Sequence, residues 1–211
     1  ANTATARVKQ YATSQGLDAS DAVASIKGPL VFHALSLDAT GKPIPVMHTD
    51  DGFVLMFTMP PADYLEQVAG RLVRPFPAGL HTPVGIVVAN AFAADDSVRA
   101  IMGREKYHGA LVWSWQQALL AAGLDRQLAR PDLPASTRTA LEAAERELWR
   151  VIDAMATQRT GELWTWEPKD GRISYVPFGQ QGGHADESNA VQLWSTVYLG
   201  VRKPARVGGG K

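Results

Sequence analysis

Helical segments of two kinds alternate along this chain, and the alternation restricts its possible folds more than any other feature. Residues 62–74 and 136–157 are amphipathic, with one apolar stripe and a charged opposite face. Residues 53–59, 108–122 and 191–201 are instead apolar on nearly every side. A helix of that second kind is covered on more than one side, whereas a four-helix bundle would make every helix amphipathic. The pattern therefore predicts two layers of helices, an inner layer and an outer layer that faces water.

The first part of the chain is predicted to be peripheral and only partly helical. Residues 1–27 are rich in Ala, Ser and Thr, with a weak helical pattern around residues 6–15. The apolar run at residues 30–37 is followed by the turn sequence Asp-Ala-Thr-Gly and two prolines, which interrupt helices. This region is predicted to be either a small hairpin or an extended crossing of the surface. Further along, Gly123 is predicted to end the helix at residues 108–122.

A segment of about thirty residues, 158–189, joins the last two predicted helices. Loops of that length without regular structure are uncommon in compact domains, and they are usually functional or disordered. This segment contains Trp164, Trp166, Tyr175 and Phe178, and so many aromatic side chains argue against disorder. We therefore expect the chemistry of the protein to lie here.

Composition excludes several classes of function. Lys and Arg together number 21, as do Asp and Glu, so no net charge attracts nucleic acid or an anionic membrane. The absence of Cys excludes disulfides, thiol nucleophiles and Cys-ligated zinc. His48, His81 and His184 are scattered without metal-ligand spacing, so no metal site is expected. No other cofactor is expected either. No apolar run reaches the roughly 18 residues of a transmembrane helix, so no membrane span is predicted.

Three stretches of the sequence resemble segments of one enzyme group. They are Tyr-His-Gly-Ala-Leu-Val-Trp-Ser-Trp at residues 107–115, Gly-Glu-Leu-Trp-Thr-Trp at 161–166, and Glu-Ser-Asn-Ala-Val-Gln-Leu-Trp-Ser-Thr at 187–196. Their order and spacing are similar to those of six-hairpin (α/α)6 glycoside hydrolases, the group that includes glucoamylases, trehalases and processing α-glucosidases. The resemblance extends over residues 107–201 and is weak before them.

The resemblance implies a mainly α fold, namely a partial (α/α)6 toroid of layered helical hairpins with about six helices. The chain would be a single domain or the C-terminal half of a larger toroid, with residues 202–211 as a flexible tail. In such toroids the catalytic acid comes from an earlier helix than this sequence would supply. The expected partners are therefore a small oligosaccharide substrate and the missing N-terminal half of the same protein. The expected location is periplasmic or extracellular, and a cytoplasmic location is also compatible.

The resemblance also implies an inverting hydrolase in which this chain supplies the general base. Glu162 is the first candidate, Glu187 the second and Glu167 the third. The stretch from Glu162 to Trp194 is longer than this group usually has, so the choice between Glu162 and Glu187 stays open. Inversion requires an acid on the leaving oxygen and a base on a water across the sugar ring. The expected substrate-binding residues are Tyr107, His108, Trp113, Trp115, Trp164, Trp166, Gln192 and Trp194.

Alternative functions are also compatible with these residues. Asp50 and Asp51, beside His48, are the acidic pair within the chain that could replace a missing acid. A non-catalytic sugar-binding or scaffold toroid would keep the fold and lack one carboxylate. A toroidal lyase or epimerase would use His108 or Tyr107 as its base. A helical interaction protein would instead have a broad exposed apolar surface.

Overall fold

The computed structural model describes residues 2–179 and 193–208, and these residues are mainly helical. A 3₁₀ helix covers Leu193–Gly200. The α-helices are α1 (Asn2–Ser14), α2 (Ser20–Ala24), α3 (Asp51–Phe57), α4 (Ala62–Val73), α5 (Asp96–Ile101), α6 (Ser114–Leu128), α7 (Ala135–Ala154) and α8 (Ala205–Gly208).

The strands are short and pair only in antiparallel fashion among the described residues. β1 pairs with β2, β3 with β6 and β4 with β5, while β7, β8 and β9 form one three-stranded sheet in that order. The β1–β2 pair is the small hairpin that the sequence predicted as one of two possibilities for this region. The strands are β1 (Ser36–Leu37), β2 (Pro43–Ile44), β3 (Met47–His48), β4 (His81–Thr82), β5 (Gly85–Ile86), β6 (Ala89–Asn90), β7 (Val112–Trp113), β8 (Leu163–Lys169) and β9 (Arg172–Val176).

The helix α6 is the centre of the helical packing. It contacts α3, α7 and the 3₁₀ helix, and its buried residues lie on more than one side. In contrast, α7 buries a single stripe that includes Leu141, Leu148 and Ile152, and α4 packs against it. The main hydrophobic core joins α1, α3, α4, α6 and α7. A helix covered on several sides and an amphipathic partner are the two kinds that the sequence pattern indicated.

The predicted helix at residues 108–122 begins and ends in the wrong places. Val112 and Trp113 form β7, and α6 begins only at Ser114. A β-branched residue and an aromatic residue suit a strand, and here they pair with Trp164 and Leu163 of β8. Gly123 does not end α6 but lies inside it.

The segment at residues 158–189 contains a β-hairpin that the sequence analysis missed. β8 and β9 are joined by Asp170 and Gly171, which both have positive φ angles of 51° and 73°. An Asp-Gly pair between two strands is a strong hairpin signal, because this turn requires positive φ at both central residues. Instead of the predicted last helix, the described residues form the 3₁₀ helix. Residues 180–192 lie outside the described part of the chain.

The position of Gly123 allows a specific stability prediction. A Cβ added at Gly123 would lie 2.6 Å from Leu55 Cβ and 3.3 Å from the backbone of Met56, so α3 and α6 would have to separate. We expect Gly123→Ala to lower the free energy of unfolding by roughly 1–2 kcal/mol, since overpacking outweighs the gain in helix propensity. Urea unfolding of the variant and the wild type measures the difference.

Gly70 in α4 provides a matched control. A Cβ there would meet only Arg74 Nη2, at 3.6 Å, which is an ordinary contact. Gly70→Ala is therefore expected to raise the free energy of unfolding by about 0.5–1 kcal/mol. If both variants change stability in the same direction, close contact between α3 and α6 does not explain the glycine at position 123.

Candidate functional site

The β7–β8 pair separates its side chains between two hydrophobic clusters. Successive residues of a strand point to opposite faces, and directly paired residues share a face. Val112 and Trp164 accordingly lie in the main core, whereas Trp113 and Leu163 lie in a second, smaller cluster. The strand pairing therefore decides which tryptophans reach the candidate site.

Five aromatic side chains meet in this second cluster, and we call them the aromatic cluster: Tyr107, His108, Trp113, Trp115 and Phe178. Trp113 is in the middle, with its ring centroid 4.9 Å from those of Tyr107 and His108 and 5.5 Å from that of Trp115. The Phe178 ring lies 6.5 Å from Tyr107. His108 is exposed and Tyr107 is half-buried, so the cluster reaches the protein surface.

Two further rings extend the cluster along the surface. The Trp194 ring of the 3₁₀ helix lies 5.6 Å from that of Trp115, and the Phe53 ring of α3 lies 5.9 Å from the same Trp115 ring. Trp194 is 46% exposed and Phe53 is 43% exposed. Exposed aromatic rings beside one another are suited to stacking on the apolar faces of a ligand.

Glu162 lies immediately before β8 and is held against the cluster. Its backbone carbonyl accepts hydrogen bonds from the Ser114 backbone N–H at 3.0 Å and from Ser114 Oγ at 3.1 Å. Its carboxylate accepts a hydrogen bond from Tyr107 Oη. The residue is only 1% exposed. The structure therefore brings the first candidate base into direct contact with the predicted sugar-binding residue Tyr107, but beneath the surface.

Asp50 and Asp51 have different environments although they are adjacent. Asp51 is buried in an ion pair with Arg71 and accepts a hydrogen bond from Tyr64 Oη at 2.6 Å. Burial, together with the neighbouring Asp51 carboxylate, raises the pKa of Tyr64. Asp51 is thus a structural residue, placed where it stabilises the contact between α3 and α4.

The Asp50 side chain is half exposed, in contrast to that of Asp51. Its Oδ1 accepts a hydrogen bond from the buried amide of Gln116 at 3.1 Å, and Gln116 Oε1 in turn accepts one from Thr49. His48 Nδ1 is 3.5 Å from Asp50 Oδ2. Gln116 directly follows Trp115 of the aromatic cluster in α6.

The predicted sugar-binding residues Trp164 and Trp166 are core residues in the structure. They are 2% and 0% exposed. Trp164 Nε1 donates to the Val84 carbonyl at 2.7 Å, and Trp166 Nε1 donates to the Ala110 carbonyl at 2.6 Å. Because both rings are enclosed and both N–H groups are occupied, their placement favours a structural role over contact with a sugar.

The remaining predicted site residues are spread more widely. Glu187 and Gln192 lie outside the described residues. Glu167 lies on β8 opposite Ser174 of β9, further along the hairpin than Leu163. Of the predicted set, the structure brings together Tyr107, His108, Trp113, Trp115, Glu162 and Trp194.

Sequence reasoning missed Phe53 and Gln116 as neighbours of this site, and it placed Phe178 only in the aromatic segment 158–189 where the chemistry was expected. Phe53 could have been found only through the fold, because it lies outside the residues that carry the resemblance. Gln116 had a sequence signal, since a polar residue within an apolar helix requires a hydrogen-bond partner when it is buried.

A large cavity lies elsewhere in the protein. Its volume is about 780 Å³, and its lining includes Asp18, Phe76, His81 and Arg172 but none of the residues of the aromatic cluster. Within residues 2–179 and 193–208, no group of three or more His, Asp or Glu side chains is arranged to hold a metal ion. No helix in this part of the chain has both the length and the apolar character to cross a bilayer.

Comparison with known protein families and curated proteins does not assign a function to these residues. The chain matches no protein family, and no curated protein is significantly similar to it.

Proposed function

We propose that this chain belongs to a carbohydrate-active enzyme that hydrolyses a small oligosaccharide with inversion at the anomeric carbon. One observation carries the proposal: a carboxylate, Glu162, contacts Tyr107 within a cluster of aromatic rings that reaches the surface. Aromatic rings and a carboxylate together suit a sugar, which has apolar ring faces and hydroxyl groups around its edge. Residues from three separate parts of the chain build this arrangement.

The proposed architecture is part of an α/α toroid. In such a ring, one helix of each hairpin lies in an inner layer and the other lies in an outer layer. Inner helices of neighbouring hairpins contact each other, and so do their outer helices. The contacts of α3 with α6, of α4 with α7 and of α6 with α7 are compatible with two neighbouring hairpins of this kind. The apolar character of α6 on several sides supports its proposed place in the inner layer.

The proposed reaction needs two carboxyl groups roughly 6.5–9.5 Å apart on opposite sides of the sugar ring. Glu162 and Glu187 are the proposed alternatives for the base that activates water. The acid comes either from a part of the protein outside this sequence or from Asp50. Asp50 is preferred to Asp51 within the chain, because Asp51 is neutralised by Arg71 whereas Asp50 is half exposed and oriented by Gln116.

A non-catalytic sugar-binding protein is the second candidate, and the burial of Glu162 favours it. A general base must reach the water that it activates. With 1% exposure and a hydrogen bond from Tyr107, the Glu162 carboxylate is instead placed to orient a tyrosine beside bound sugar.

Hydrolysis and binding assays on a panel of disaccharides separate the two candidates. Maltose, trehalose, isomaltose and cellobiose are each incubated with the protein, and NMR of the anomeric protons identifies the first product formed. Products of inverted configuration support the proposed enzyme. Binding without hydrolysis supports the sugar-binding protein, and neither binding nor hydrolysis contradicts both candidates.

A further inference from the structure

We infer that the Trp113 indole N–H is the hydrogen-bond donor for an oxygen atom of the bound sugar. Trp113 is 7% exposed, and its Nε1 is buried without a hydrogen-bond partner in the described structure. A buried donor that lacks a partner costs free energy, and nearly all buried polar groups in proteins have one. The inference rests on the proposed function, because it takes the missing acceptor to be a ligand atom.

The other tryptophans of this sheet show what a purely structural indole does here. Trp164 and Trp166 each donate to a backbone carbonyl, at 2.7 Å and 2.6 Å. Trp113 lies on the neighbouring strand and faces the other way, into the aromatic cluster. In this sheet, the indole N–H groups of the two tryptophans that face the main core therefore have acceptors. The N–H of Trp113, whose ring faces the candidate site, has none in the described structure.

Trp149 in α7 also has a buried Nε1 without a partner, so this property alone does not mark a site. The surroundings distinguish the two residues. Trp149 lies in the main core among apolar side chains. Trp113 instead contacts the exposed ring of His108 and the half-buried ring of Tyr107, in the aromatic cluster that reaches the surface.

The neighbours of Trp113 also indicate what kind of acceptor would bind. The Trp113 N–H requires an acceptor atom. The rings of Tyr107 and His108 beside it offer faces to apolar C–H groups. A sugar hydroxyl meets both requirements, and the N–H would then select sugars that carry a hydroxyl at the facing position.

The variant Trp113→Phe tests this role, and Trp149→Phe is its matched control. Each change removes one unpartnered N–H and reduces the size of a buried ring. We expect Trp113→Phe to weaken binding of the best-bound disaccharide of the panel by about tenfold, the usual effect of one lost hydrogen bond. Trp149→Phe is expected to leave binding unchanged. Titration calorimetry measures both affinities, and urea unfolding establishes that both variants fold.

A measurement on the wild-type protein makes the test independent of any folding defect. The Trp113 indole N–H resonance, assigned by NMR, is expected to move downfield when the disaccharide saturates the protein, while that of Trp149 stays in place. If the sugar binds and neither this resonance nor the affinity of Trp113→Phe changes, the inference is wrong and the proposed function stands. If no sugar of the panel binds to the wild type, both fail.

Discussion

Replacing Glu162 by Gln is expected to slow the proposed disaccharide hydrolysis by about 10²–10⁴-fold, the usual contribution of a general base, if Glu162 is that base. Gln has nearly the same shape and can still accept the hydrogen bond from Tyr107, so the protein should fold normally. Gln cannot take a proton from water, however, and the loss should therefore appear in kcat and leave KM almost unchanged. Steady-state kinetics with the best substrate of the panel measures both parameters.

Two further variants identify the base. Glu187→Gln tests the alternative, and the larger loss of kcat shows which glutamate activates water. Tyr107→Phe removes only the hydroxyl that contacts Glu162, and we expect a smaller effect because the carboxylate itself remains. If Glu162→Gln and Glu187→Gln both hydrolyse the sugar at the wild-type rate, neither residue is the base.

Replacing Arg71 by Met is expected to lower the free energy of unfolding by about 3–5 kcal/mol. Arg71 is 1% exposed and forms an ion pair with Asp51, which is 6% exposed. Its Nη1 also donates to the Val31 carbonyl at 3.3 Å, which ties the extended segment before β1 to α4. Removal of the guanidinium would leave a buried carboxylate with only the Tyr64 hydroxyl as a hydrogen-bond donor from a side chain among the described residues. Guanidinium chloride unfolding at constant pH measures the loss.

The cause of this loss can be isolated with a double variant. Asp51→Asn combined with Arg71→Met removes both charges, and it should be more stable than Arg71→Met alone because no uncompensated charge stays buried. Tyr64→Phe, which removes one hydrogen bond to Asp51, should cost only about 1 kcal/mol. A double variant as unstable as the single one would mean that packing of the arginine side chain, and not the buried charge, explains the effect.

The sequence predicted the helices with clear periodicity and failed where a strand precedes a helix. The prediction of α4 and α7 is close to the observed bounds, because their apolar stripes repeat at helical spacing. The apolar residues of 108–122 lie on nearly every side of a helix, and such a pattern has no period that separates strand from helix. Pairing with β8, a contact distant in sequence, decides that Val112 and Trp113 are a strand.

The contacts among the aromatic side chains could be predicted where residues close in sequence are also neighbours in space. Tyr107, His108, Trp113 and Trp115 belong to one motif, and their rings do meet. Trp164 belongs to an equally aromatic motif, but the face of β8 that carries it turns towards the main core. Strand alternation places successive residues such as Leu163 and Trp164 on opposite faces of β8. Which of these faces is turned towards the main core depends on the whole fold. Phe53 reaches the site through the packing of α3 on α6, which no local pattern encodes.

At the junction between β7 and α6, the four consecutive residues 113–116 each make a different contact. Trp113 lies in the aromatic cluster, and Ser114 donates hydrogen bonds to the Glu162 carbonyl. The Trp115 ring contacts those of Phe53 and Trp194, and Gln116 donates a hydrogen bond to Asp50. Trp115 is the one of these four whose side chain is partly exposed. If the proposed sugar site exists, a substitution at Trp115 is the one of these four that disturbs the buried contacts least. A single residue inserted at the start of α6, by contrast, would shift the helix residues that follow by about 100° around the helix axis, away from their present partners.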